Sequence, residues 1–401
     1  MLSIRQCHWR IDMKRQSTRR EFLQSNAALL ACAGCALAGT ERPQAGSRRD
    51  NYLVFSKGHI AGAQLKNRIV RSAAAEGASP EGLMSKDGLL IYERLARGGA
   101  GLIITGHMVA IRGGDAHQNQ THIDDDRYMD ALKKIIETVH KNGAGSRTFA
   151  QLSHAGPNGI VDPVAPSEMQ ARAGGKKPRI LSTTEIADMI AQFAASIRRA
   201  KAAGFDGVEI HGAHGYLLSS FLSARTNKRT DEYSGSAAGR AEIIRRIVAA
   251  AREKVGRDYP IIIKVNCDDQ GDNEAAIAGF AEMAQEIQKT GVNAIDISGT
   301  NPIRTGLDSA DKQSYFLPYA ERVALKIPVI LTGGNRSIES LEQIAKKGKV
   351  QFFGFARPLV REPDLPMRWL EGRGGPGVAC VSCNECLQTL MKAPPTHCVR
   401  V

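Results

Sequence analysis

Gly207-Val208-Glu209-Ile210-His211-Gly212-Ala213-His214-Gly215-Tyr216, running on as Leu217-Leu218-Ser219-Ser220-Phe221-Leu222-Ser223, is the stretch around which the chain is organised. The apolar run 207–210 reads as a buried strand cut off by Gly212. Two imidazoles and a phenol therefore gather at one strand end. Each imidazole can donate a hydrogen bond to a carbonyl oxygen, and the phenol can deliver a proton nearby. A single loop His is most often merely hydrogen-bonded. Three such groups beside glycines that admit close backbone approach point to a site.

Working outward, similar apolar runs recur at 68–72, 101–105, 148–152, 261–265, 294–297, 329–332 and 352–355. Amphipathic segments at helical spacing separate most of them, at 90–95, 131–140, 185–202, 241–253, 278–288 and 337–346. Eight strands alternating with helices predict a parallel sheet closed into a (β/α)8 TIM barrel. An open doubly wound sheet is the alternative, but no GxGxxG follows the first strand. In a barrel the chemistry sits at the C-terminal strand ends. That places Gln151 and His154 after strand three, and Lys264 and Asn266 at the end of strand five. Gly333-Gly334-Asn335-Arg336 follows strand seven and Ala356-Arg357 follows strand eight, where such barrels cradle phosphate with backbone N–H groups and helix N-termini. Longer excursions at 156–179 and 300–314 fall on the same face.

The 401 residues, 42% hydrophobic and 24% charged, suit one barrel with additions. Of the net charge of +13, residues 1–38 supply +4 through six Lys/Arg against two Asp/Glu. The remainder shows no basic run interleaved with aromatics, which argues against a nucleic-acid partner. Residues 17–24 contain Arg19-Arg20 with Phe22-Leu23 and lead into the alanine-rich run 25–38, closing on Ala36-Leu37-Ala38. A basic segment, a short apolar run and a small-residue triplet predict a twin-arginine signal over 1–38 and export to the periplasm or beyond. Residues 39–51 read as linker. Cys32 or Cys35 could carry a lipid anchor, and Met13 could be the start.

Four of the eight cysteines, Cys380, Cys383, Cys386 and Cys398, form a C-x2-C-x2-C-x11-C quartet in the segment 372–401. Three thiolates on a tight turn and a fourth further on suit a [4Fe–4S] cluster. Zinc is a rival, since four thiolates also satisfy a tetrahedral ion. Disulfides are another, because the predicted destination is oxidising. Cys267 reads as a buried apolar thiol.

The sequence resembles the old yellow enzyme family of FMN-dependent oxidoreductases over residues 52–401. The resemblance rests on Leu65-Lys66-Asn67-Arg68-Ile69-Val70, Gly99-Ala100-Gly101-Leu102-Ile103-Ile104, Gln151-Leu152-Ser153-His154-Ala155-Gly156, the 211–223 stretch, Asn227-Lys228-Arg229-Thr230-Asp231-Glu232-Tyr233, Thr332-Gly333-Gly334, Ala356-Arg357-Pro358-Leu359 and Glu362-Pro363-Asp364-Leu365-Pro366. The His-x-x-His pattern is nearer the dienoyl-CoA reductase and amine dehydrogenase branch, whose iron–sulfur members carry a similar quartet just after the barrel. It implies an FMN-binding barrel over 52–371, with FMN across its mouth. Gln151 would bond the flavin's pyrimidine edge, and Lys264, where many relatives carry Arg, would sit near N1/O2. Gly333, Gly334, Asn335, Ala356 and Arg357 would hold the phosphate. His211 and His214 would grip a substrate carbonyl while hydride passes from reduced FMN to a conjugated alkene and Tyr216 supplies the proton. NAD(P)H is a possible donor, as is a membrane or protein partner serving the cluster. Oxidation of an amine or alcohol, and a flavin electron-transfer module, are the alternative readings. Departures from the family pattern are Ala73-Ala74-Ala75 where a Thr or Cys contacts the flavin, Pro157 for Arg, Ala224 for Pro, Ser234 for Gly and Ala356 for Gly.

Overall fold

In the computed structural model, residues 47–400 are described apart from Pro302 and Asp308. The predicted signal, the first part of the linker and the candidate lipid-attachment cysteines lie outside the described residues. Eight parallel strands form the central sheet: β1 (Ile69–Arg71), β2 (Leu102–Ile104), β3 (Arg147–Ser153), β4 (Gly207–Gly212), β5 (Ile261–Asn266), β6 (Ile295–Ser298), β7 (Val329–Thr332) and β8 (Phe352–Phe355). Each pairs with the next, and β8 returns to β1 through Phe353↔Ile69 and Gly354↔Val70, closing the ring. The eight runs read from the sequence are the eight barrel strands.

Most of these strands are buried at nearly every position. Full burial follows from helices outside and packed side chains inside, and it explains why they read as continuous apolar runs. The outer layer comprises α1 (Lys86–Arg97), α2 (Met129–Asn142), α3 (Thr183–Ala203), α4 (Ala237–Val255), α5 (Glu274–Lys289), α6 (Leu317–Arg322), α7 (Ile338–Lys346) and α8 (Leu365–Leu370). Their starts are written in capping residues. Ser182 and Glu185 form a reciprocal capping box on α3, and the helix ends at Gly204 with φ +96°. Such a cap contributes about 1 kcal/mol. Ser85, Ser236 and Asn273 cap α1, α4 and α5 with a side-chain oxygen that accepts from the backbone three residues on. No helix among the described residues is long and apolar enough to cross a membrane.

An antiparallel hairpin, Gly58–Ile60 with Ala63–Leu65, precedes the barrel. Ile60 and Leu65 are fully buried against Val70, Leu102, Phe149, Ile262, Ile330 and Phe352. Several of these sit at strand starts, so the hairpin seals the N-terminal end of the barrel. A Cβ on Gly58 would meet the Phe352 ring at 2.7 Å, which is why that approach needs glycine. After α8 the chain continues into a loop and the helix α9 (Glu385–Lys392), which carry the cysteine quartet.

Candidate active site

At the end of β4 the backbone turns sharply, with φ +61° at His214 and +71° at Gly215, and Tyr216 caps the short helix Leu217–Leu222. A left-handed histidine is uncommon and costs energy, so the surroundings must hold it. Asn266 does so by accepting a hydrogen bond from the His214 amide at 3.0 Å. The His211 ring stands 4.9 Å from that of His214 and 5.0 Å from that of Tyr216, edge to face in both cases. His211 Nδ1 accepts from the Ala213 amide at 3.4 Å, which leaves the ring proton on Nε2. His214 Nε2 meets the Ser298 hydroxyl at 3.0 Å; with Ser298 as the donor, the ring proton sits on Nδ1 and can serve a substrate oxygen.

Burial pushes His211 well below its ordinary value, with His214, His107 and Lys264 adding to the fall. Burial and then Lys264 push His214 down to about 3. Both rings are therefore neutral hydrogen-bond donors at pH 7. Burial raises Tyr216 to about 12, so it keeps its proton until a basic atom arrives.

Inside the barrel, the register sets Lys264 beside His211 on one side and Asp296 on the other. Its ammonium bonds Asp296, donates to Ser72 Oγ at 3.1 Å and lies 3.7 Å from Glu209. Burial opposes the charge, but Asp296 and Glu209 outweigh it and hold Lys264 protonated. Glu209, fully buried, is pushed upward by desolvation against the pull of Lys264. Its Oε2 accepts from Gln151 Nε2 at 2.6 Å. Gln151 and Lys264 thus lie in one buried network, though β3 and β5 are not adjacent strands. Beside it, the Ala73-Ala74-Ala75 run is held by Arg71, which donates to the Ala74 carbonyl at 2.9 Å and pairs with Glu76 at 3.1 Å.

Across the mouth, Gly333, Gly334, Asn335, Ala356 and Arg357 line one small cavity with Thr332 and Ser382. Gly334 has φ +70°, and a Cβ there would meet the Tyr315 ring at 2.6 Å. The Asn335 side chain is consumed internally: it donates to the Leu331 and Gly354 carbonyls and accepts from Ser314. What Asn335 can offer a ligand is its backbone. Arg357 donates to the Arg304 carbonyl at 3.0 Å and bonds Asn384 in the cysteine loop. Thr332 Oγ1 is buried without a protein partner. A buried cation, an orphaned hydroxyl and a glycine-lined cradle fit a planar anionic cofactor with a phosphate tail.

Cys380, Cys383, Cys386 and Cys398 are all free thiols and line a single small cavity beside Arg357, Arg361 and Arg400. The loop is stitched to the cradle. Arg336 donates to the Cys380 carbonyl at 2.6 Å and to Ser382 at 3.1 Å, while Asn384 donates to the Ile303 carbonyl at 2.7 Å. Among the described residues, no group of three or more His, Cys, Asp or Glu side chains is drawn together tightly enough for a single ion. Cys267 is buried in the core, where desolvation raises its thiol far above the usual range.

The structure adds His107 and His117, which the sequence reading missed. His107 lies 5.9 Å from His211 and 5.3 Å from Tyr216, ring to ring. It comes just after β2, so the strand-end rule that found His211 would also have found it. Below this loop His122 donates to Asp115 at 2.9 Å and Asp124 at 3.0 Å. Burial opposes its charge, but the two carboxylates outweigh it and raise the ring to about 9.

A closed parallel barrel with imidazoles and a phenol at one strand end, and a glycine-lined cavity after strands seven and eight, suits a barrel oxidoreductase that binds a flavin. The family model described as "NADH:flavin oxidoreductase / NADH oxidase family" matches residues 55–374. The chain belongs to this family, that of the old yellow enzymes. It is 36% identical over 357 residues to a metal reductase of Desulforamulus reducens, covering 86% of this chain and 53% of that protein. It is 35% identical over 344 residues to an NADH oxidase of Thermoanaerobacter brockii, covering 82% and 52%. Among solved structures, 2-naphthoyl-CoA reductase in complex with 2-naphthoyl-CoA superposes with a TM-score of 0.78 at 22% identity, covering 86% of this chain and 56% of that one. That likeness speaks to the fold. The chain spans about half the length of the two curated relatives.

Proposed function

We propose that the protein is an exported FMN-dependent reductase of alkenes conjugated to a carbonyl, using NAD(P)H or another electron donor. Gln151, Lys264 and the Gly333-Gly334 turn would hold FMN, which in reduced form would supply the hydride for the β carbon of the substrate. His211 Nε2 and His214 Nδ1 hold the carbonyl oxygen and stabilise the charge that develops there. Preorganised donors of this kind each contribute roughly 2.7–4 kcal/mol. Tyr216 holds its proton until the α carbon becomes basic, then delivers it, so one hydride and one proton saturate the bond. Gln151 and Lys264 would hold the flavin ring, with Lys264 supplying positive charge. The Gly333-Gly334 turn and Arg357 would take the phosphate. The observation that carries the reading is the pair of neutral imidazoles beside a protonated phenol at one strand end.

The four free thiols around one cavity support a [4Fe–4S] cluster in the C-terminal segment. The C-x2-C-x2-C-x11-C spacing favours the cluster over zinc, whose structural sites more often use two separated C-x2-C pairs. Such a cluster supplies single electrons, which suits a membrane or protein donor outside the cytoplasm. An anaerobic visible spectrum tests both cofactors. Flavin bands on a broad absorbance that dithionite bleaches, with reoxidation of the reduced protein by an enone, are expected. A colourless protein that FMN cannot reconstitute overturns the reading. Full turnover on NAD(P)H alone, unchanged in Cys380→Ala, removes the electron-relay role.

A further inference from the structure

His107 stands beside His211 and Tyr216, His117 stands beside His107, and the chemistry above leaves both without work. His107 sits between β2 and the short strand Met108–Val109, which pairs with the end of β3. Gly106 before it admits no side chain, since a Cβ would meet Glu76 at 2.0 Å. Gln120, buried, fixes the proton of the His107 ring. Its Oε1 accepts from the Ala116 amide at 2.8 Å, so its Nε2 is the donor. That nitrogen donates to the His107 carbonyl at 2.8 Å and to His107 Nδ1 at 3.0 Å. His107 therefore carries its proton on Nε2. His117, 5.2 Å away ring to ring, has the opposite arrangement. Its Nδ1 donates to the Gln118 carbonyl at 2.7 Å, which makes Nε2 of the neutral ring an acceptor. That Nε2 is buried and meets no donor, in a residue only 8% exposed. His117 also lines a groove of about 670 Å³ with Asp115, Gln120, His122 and Tyr128.

A buried acceptor without a donor is destabilising unless something fills it, so the site calls for a partner. We propose that His107 and His117 form a subsite for a hydroxyl group carried by the substrate on a part remote from its alkene. The hydroxyl oxygen accepts from His107 Nε2–H, and its proton is donated to His117 Nε2. A hydroxyl makes both bonds at once. A carbonyl or ether oxygen only accepts, and an ammonium only donates, so each leaves one ring unsatisfied. The inference rests on the enone-reductase reading and narrows it to hydroxyl-bearing unsaturated carbonyls whose far end lies toward the groove.

The test compares benzylideneacetone with its meta-hydroxy and meta-methoxy derivatives as oxidants of the reduced holoprotein. The meta position keeps the electronic effect on the alkene small. The hydroxy compound should exceed the parent about tenfold in kcat/KM, mostly through KM, as two neutral hydrogen bonds warrant. The methoxy compound should fall below the parent. In His117→Phe the hydroxy-to-parent ratio should collapse to near one, and Gln120→Met should lower it by loosening the His107 proton. Independently of activity, 15N spectra of histidine-labelled protein should show His107 as the Nε2–H form and His117 as the Nδ1–H form. Equal handling of hydroxy and parent by the wild type, or a preference that survives His117→Phe, overturns the subsite alone. Failure of all three compounds to reoxidise the protein overturns the enone-reductase reading and the subsite with it.

Discussion

At the end of β4, three reactive side chains ride on a fully buried strand and are fixed by backbone register, a left-handed turn and neighbouring rings. Across the rim, four thiols sit in the segment after the barrel, held by Arg336 and Arg357 reaching out of the glycine-lined cavity and by Asn384 of that segment reaching back to Ile303. The first site is rigid because the sheet is rigid. The second borrows its order from a few charge-assisted and amide hydrogen bonds, which are locally stronger than neutral ones but few in number. Damage should therefore spread differently. A change at the mouth removes chemistry and leaves the fold alone, whereas a change in the clamps loosens the thiols and leaves the mouth intact.

The largest effect expected is at the mouth. Tyr216→Phe should slow reoxidation of the reduced protein by an enone by roughly 10²–10⁴-fold, the range for losing a positioned proton donor. Thiol reactivity and any iron content should not change. If both sites failed together, the separation drawn here would be wrong. Next comes the support under the mouth. His122, raised to about 9 by its two carboxylates, stabilises the fold fully below pH 6.5 and loses that contribution as pH rises through 9. The loss should be on the order of 2–3 kcal/mol. It should appear as a falling melting temperature between pH 6.5 and 9 that flattens in His122→Asn.

On the other side, Asn384 sits at φ +66° and bridges Ile303 to Arg357. Asn384→Ala removes both bonds and strains the left-handed residue, so the thiols should react with an alkylating probe about tenfold faster. Asn384→Gly relieves the strain and should react at an intermediate rate. The smallest effect belongs to Ser298→Ala, which frees His214 Nε2. A KM change of about threefold, with kcat nearly constant, is expected from one neutral hydrogen bond. A larger loss would mean that Ser298 positions the ring for the chemical step.

The barrel was legible because strands buried on both faces leave unbroken apolar runs, and these need no alignment to be seen. The 211–216 cluster was legible because strand ends in a barrel are where chemistry collects. The partners of Lys264 were not, since Glu209 and Asp296 lie on different strands and meet it only through register. The hairpin 58–65 was not legible, because three-residue strands carry no period. His117 was hidden for the same reason, in a loop fixed by Gln118 and Gln120 instead of by secondary structure.

That hairpin has a kinetic consequence. With Ile60 and Leu65 sealing the lower end of the barrel and packed side chains filling its interior, the upper mouth is the one doorway. In the proposed reaction, a nicotinamide reductant and the oxidant would take turns at that mouth, each leaving before the other enters. Parallel double-reciprocal plots, with each visitor inhibiting the other at high concentration, are the trace such a queue leaves.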